Sequence, residues 1–177
     1  MKSSLAWLAV ALTATATFAF EPHARAQASD ADKAVARELF NDGAKALDAE
    51  KYAIAVDKFK KADELFHAPT MLIGLARAYT GLGKFVEAKE TYNRVINEKL
   101  AANASDAFLQ AQKDAAKEIK ALDDKIGSGT ISISADGGTL PNGLVAKLDD
   151  EELRQATFGI KRPMNPGTHR LVVTAPG

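Results

Sequence analysis

Between residues 32 and 126 apolar side chains recur every three or four positions, the period of helices that each bury one face, and turn-forming residues divide the stretch into five such helices. The first, about residues 32–48, sets Val35, Leu39, Phe40, Gly43, Ala46 and Leu47 on one side, with Asp30 or Asp32 placed to cap its free amide groups. The second, about residues 52–66, puts Ala55, Val56, Phe59, Ala62, Asp63 and Phe66 on adjoining turns and ends at His67-Ala68-Pro69. Pro69 suits the first turn of a third helix, which carries Leu72, Leu75, Ala76 and Tyr79 inward and stops at Gly81-Leu82-Gly83. The fourth covers about residues 85–97 with Ala88, Tyr92, Val95 and Ile96 inward. Ser105 starts a long fifth helix to Ile126, with Phe108, Ala115, Ile119, Leu122 and Ile126 on its apolar stripe.

The pattern then changes period. Gly127-Ser128-Gly129 reads as a linker, and alternation at 131–134 predicts a half-buried strand. Further strands are expected at 144–148, around 158–161 and at 169–174, with turns at Asp136-Gly137-Gly138 and Pro141-Asn142-Gly143. The fold class is therefore α+β: antiparallel helical hairpins first, then a small antiparallel β-sandwich-like module.

The helical part repeats itself. Tyr52 aligns with Phe85, Ala55 with Ala88, Phe59 with Tyr92 and Ala62 with Val95, all at a spacing of 33 residues. In this the chain resembles the tetratricopeptide repeat (TPR), a helical hairpin with a period of about 34 residues. Small residues let paired helices approach closely, and aromatic rings fill the space between hairpins. Leu72, Leu75, Ala76, Tyr79, Gly83, Phe85, Ala88 and Tyr92 match the family pattern in the second unit, while the first has Ala46 where an aromatic is usual. The resemblance implies a short α-solenoid over residues 29–126, with the fifth helix as its cap.

The tail from Met164 to Gly177, with Pro166-Gly167 leading into a strand and ending Ala175-Pro176-Gly177, resembles the end of PEGA domains, small β-sandwich modules of bacterial envelope proteins. Ser134-Ala135-Asp136-Gly137-Gly138 stands where that family has its Pro-Glu-Gly-Ala stretch. The expected divisions are 127–129 as linker and 130–177 as the module, and the resemblance implies one or two further strands beyond residue 177.

The first 28 residues have a character of their own. Lys2, an uncharged apolar run over 5–20, and small residues at Ala26 and Ala28 have the form of a secretory signal, cleaved after Ala28 or alternatively after Ala26. The run is short of the roughly 20 residues of a spanning helix, which disfavours an uncleaved anchor. Export to the periplasm, cell surface or medium is the expected localisation. The whole chain has 23 basic and 23 acidic residues; removal of Lys2, Glu21 and Arg25 with the signal leaves 21 against 22. This balance does not suggest nucleic acid as the partner. With no cysteine there is no disulfide, thiol nucleophile or lipidation site, so stability rests on packing.

Chemistry finds little support. His67 follows Asp63 and Glu64 by one helical turn, but two candidate ligands fall short of a zinc site, and a histidine at a helix end is favourable by itself. Asp149-Asp150-Glu151-Glu152 lacks the alternating oxygens and glycine of a calcium loop and reads as a solvated acidic turn. No serine lies in a nucleophile elbow, and Gly127-Ser128-Gly129 precedes a strand rather than a phosphate-cradling helix. No enzyme activity, cofactor or metal is expected.

Binding remains. The TPR resemblance implies a concave groove floored by the first helix of each hairpin, presenting Arg37, Phe40, Ala44, Leu47 and Asp48 from one unit and Thr70, Ile73, Arg77 and Thr80 from the next. Phe40, Leu47 and Ile73 offer apolar contact, or pack against a neighbouring helix; Arg37 and Arg77 suit a carboxylate. Family members that clamp a C-terminal carboxylate use Lys and Asn where this chain has Phe40 and Ala44, which disfavours that specialised partner. The expectation is a non-catalytic envelope scaffold that holds a protein or peptide segment in the groove and docks a second component through the β module. A self-associating structural protein is the alternative, since two hairpins and a cap are fewer than the roughly three repeats usual in such stacks. A carrier of small ligands or cell-wall fragments is the second alternative.

Overall fold

The first helix starts on a reciprocal cap: the Ser29 hydroxyl accepts from the Asp32 amide at 3.0 Å, and the Asp32 carboxylate accepts from the Ser29 amide at 3.0 Å. The cap is thus Ser29, one residue before the expected Asp30, with Asp32 as its partner. The computed structural model describes residues 29–135 and 138–176, so the signal at 1–28, its cleavage site and the turn at Asp136-Gly137 lie outside the described residues. Five helices, α1 (Asp30–Asp48), α2 (Tyr52–Leu65), α3 (Pro69–Gly81), α4 (Phe85–Asn97) and α5 (Asp106–Glu118), precede five short strands, β1 (Gly127–Thr130), β2 (Val145–Leu148), β3 (Glu151–Leu153), β4 (Lys161–Met164) and β5 (Leu171–Thr174). The class is α+β, helical hairpins followed by a small antiparallel β region. The fifth helix is shorter than its apolar stripe: after Glu118 the backbone tightens into a 3-10 turn over Ile119–Lys125.

The repeat is visible in burial and in turn geometry. Ala55, Phe59 and Ala62 are buried in α2, and Ala88, Tyr92 and Val95 are buried in α4. Each hairpin is closed by the same pair of backbone hydrogen bonds, Glu50 N to Leu47 O and Lys51 N to Ala46 O in the first, Gly83 N to Thr80 O and Lys84 N to Tyr79 O in the second. This Schellman closure requires a left-handed residue, supplied by Glu50 (φ 56) and Gly83 (φ 72). Phe59 fills the centre between the hairpins, its ring packed edge-on to Phe40 with centroids 5.7 Å apart. Two helices come close enough to contact that ring only because Gly43 and Gly74 face it; a Cβ at Gly74 would stand 2.6 Å from it. The apolar stripe differs from expectation at two ends. Val35 is 47% exposed while its neighbour Ala36 is fully buried, and Phe66 is exposed just past α2.

In the β region β1 pairs with β4, and β2 lies between β3 and β5, all antiparallel. Gly127-Ser128-Gly129, expected as a linker, is most of β1, because the extended glycines pair with β4 opposite Met164 and Arg162. The expected strand at 131–134 is not formed, and of the strand expected around 158–161 only Lys161 is extended, as the first residue of β4; Phe158–Ile160 turn the chain after a 3-10 turn at Gln155–Thr157. The acidic run divides: Asp149 and Asp150, both at positive φ, make a two-residue hairpin turn, and Glu151 and Glu152 enter β3. Ala146 and its cross-strand partner Leu153 are the buried residues of this region.

One side chain ties strands to helices. No side chain of its own segment caps α4, and Asn165, just after β4, does so from a distance, its Oδ1 accepting from Val86 N at 2.8 Å and its Nδ2 donating to Glu87 at 2.7 Å.

Candidate partner-binding groove

The parallel first helices of the two hairpins, α1 and α3, form one wall and the floor of a concavity of about 400 Å³, and α5 forms the other wall. Phe40, Ala44, Leu47 and Asp48 come from α1, Thr70, Ile73, Gly74 and Arg77 from α3, and Ala107, Gln110, Ala111 and Asp114 from α5. Five of the six residues expected to bind a partner, Phe40, Leu47, Asp48, Ile73 and Arg77, are thus brought together. Arg37 is not among the lining residues: it is exposed one turn before Phe40 on α1.

Phe40 and Leu47 are half-buried and serve both packing and surface, whereas Ile73 is almost wholly buried. Asp48 ends α1, is exposed, and has no hydrogen bond or ion pair among the described residues. Asp114 is half-buried and accepts from Gln110 at 2.7 Å and from Arg77 at 3.4 Å.

Arg77 departs from its expected role. Its guanidinium is already filled by a carboxylate of the same chain: Nη2 donates to Glu118 at 2.6 Å and Nε donates to both Glu118 oxygens at 3.0 and 3.2 Å. Tyr92, buried at the repeat position, donates its phenol to the same Glu118 at 2.8 Å. Burial, then the hydrogen bond to Glu118, pushes the Tyr92 phenol well above its ordinary value. Burial also raises Glu118, but hydrogen bonds from Arg77 and Tyr92 outweigh it and hold the carboxyl below its usual range. The hydrogen bond to Glu118 in turn raises Arg77. This triad fastens α5 to α3 and α4 behind the groove; it does not offer a free fork to a ligand.

The contribution of α5 was not foreseen. Its signal lies in the sequence, since Ala107, Gln110, Ala111, Asp114 and Glu118 fall at spacings of three and four and so share a face beside the one that packs on the core.

The two histidines among the described residues each face a carboxylate. His67 faces Asp63 at 2.6 Å and Glu98 at 3.2 Å. His169 faces Asp149 at 2.5 Å with Nδ1 and the Asn165 carbonyl at 2.8 Å with Nε2. Among the described residues no group of three or more His, Asp or Glu is arranged to hold a metal ion, and no helix is long and apolar enough to cross a membrane. A second concavity, of about 460 Å³, lies between α4 and the strands, lined by Val86 and Glu90 on one side and by Leu153, Arg154, Ile160 and Arg162 on the other. The chain matches no family model, no curated protein and no solved structure.

Proposed function

We propose that this chain is an exported, non-catalytic scaffold of the cell envelope whose groove between α1, α3 and α5 holds an extended segment of a protein partner, with the β region as a second docking surface. The observation that carries the reading is the open, apolar-floored concavity on the first helix of both hairpins, where Phe40, Leu47 and Ile73 meet. An apolar floor with carboxylates beside it, spread over three helices, suits several side chains of an extended peptide. The TPR-like repeat and the PEGA-like ending support the same reading, and the secretory form of residues 1–28 supports the location. Capture from envelope extracts by the full chain tests it, with Ala44→Trp to fill the groove and Lys61→Trp on exposed α2 as the control. Retention by the wild type and Lys61→Trp with loss in Ala44→Trp is expected. Equal recovery by all three chains contradicts a groove-bound partner.

Self-association is the second reading, and one observation favours it. β5 is an edge strand, and Leu171 and Val173 on it are both exposed, close to the arrangement that recruits another strand. Light scattering over a wide concentration range tests it; a strict monomer throughout contradicts it.

A further inference from the structure

The charge of the groove selects among segments. Among the described residues Arg77 is the one cation lining it, and Glu118 neutralises that charge with three hydrogen bonds. Two carboxylates, Asp48 and Asp114, also line the concavity; Asp114 accepts from the neutral Gln110 at 2.7 Å and lies 3.4 Å from Arg77, whose charge Glu118 already balances. Asp48 is the last residue of α1, so the partial negative charge of the helix C-terminus adds to its own. α1 and α3 run in the same direction, and the contacts of Arg77 with Asp114 and Glu118 place the C-terminal half of α5 beside the second half of α3. The acidic groups therefore gather at one end of the groove, and Phe40 and Ile73 lie towards the other.

We infer that the groove takes a segment that is both apolar and basic, an aliphatic side chain lying over Phe40, Leu47 and Ile73 and a lysine or arginine reaching Asp48 and Asp114. This rests on the groove being the partner site. It reverses the carboxylate capture that Arg77 suggested in the sequence, because the chain's own Glu118 fills that position.

The test is fluorescence anisotropy of the full chain with three short labelled peptides of one leucine-containing design, differing only in lysine, glutamine or glutamate at the polar positions. The lysine peptide is expected to bind most tightly and the glutamate peptide least, with the difference shrinking as salt is raised. Asp48→Asn should weaken the lysine peptide by about threefold, as for a solvent-facing ion pair, and Asp114→Asn by a similar factor. Asp48→Lys, an exposed change at a helix end, should reverse the order of the lysine and glutamate peptides. Equal binding of the three peptides, or an unchanged order in Asp48→Lys, overturns the charge preference while leaving the groove as a site. Failure of all three to bind counts against the groove itself and removes the basis of the inference with it.

Discussion

Phe59 shows how single residues fix the spacing of the helices. Its ring touches Gly43 on one helix and Gly74 on another, so there is no room for a methyl group at Gly74. Gly74→Ala should lose roughly 1–3 kcal/mol by overpacking, measured by urea unfolding, despite the better helix propensity of alanine. Glu50 makes the opposite case. It holds the left-handed position that Gly83 holds in the second hairpin, so Glu50→Gly should stabilise the protein by about 0.5–1 kcal/mol, and a loss of stability would contradict the shared closure. Glu118 receives Arg77 and Tyr92 but is partly exposed, so Glu118→Gln should cost only about 1 kcal/mol at neutral pH. Because its carboxyl is held below the usual range, that contribution is present above the unfolded value near 4.5 and fades as pH falls through the depressed one. The wild type and Glu118→Gln should therefore converge in stability in acid. The pairing of Arg77 with Glu118, 41 positions apart, was not legible in the sequence, whereas the burial of Ala55, Phe59, Ala88 and Tyr92 was. Repeat positions state their own packing; partners across distant elements depend on a register that only the assembled helices set.

At the scale of elements, the boundary between helices and strands is held by α4 and the segment after β4. Asn165 caps α4 from there, and His169 in turn binds the Asn165 carbonyl. Both ring nitrogens of His169 face acceptors, so only the protonated ring donates to both. The hydrogen bond to Asp149, then that to the Asn165 carbonyl, raises His169 above its ordinary 6.5, while the Arg170 amide and then His169 lower Asp149. The sign follows from both shifts. The His169 contribution is full below 6.5 and lost as pH rises through its raised value; that of Asp149 is full above 3.8 and lost as pH falls through its lowered value. The pair is therefore complete in mildly acidic solution. An NMR titration of His169 should give a midpoint above 6.5, and a midpoint at or below that value contradicts the pairing. Asn165→Ala should cost about 1 kcal/mol and speed hydrogen exchange at the Val86 amide. The helical elements were legible because α1, α2, α4 and α5 carry an apolar stripe against a polar face, and α3, buried almost all round, is bounded by Pro69 and by Gly81-Leu82-Gly83. The strands were less so: the glycines of β1 have no side chains to alternate, and the two-residue turn at Asp149-Asp150 places acidic residues where a loop and an edge strand meet.

For the whole molecule, the position of α5 turns two hairpins into a groove. It lies against α3 and α4, and the face beside that contact closes one side of the concavity. A partner held there would touch both repeat units and the cap at once, so binding should also stabilise the helical part. A partner-dependent rise in the melting temperature is expected, and its absence at saturation would indicate contact elsewhere. The most direct test of the groove is an amide chemical-shift titration of the full chain with the leucine–lysine peptide. The account predicts saturable shifts that cluster at Ala44, Leu47, Asp48, Arg77 and Gln110, the concave side of α1, α3 and α5. Shifts confined to the outer helices α2 and α4 or to the strands, or no shifts at all, would contradict it.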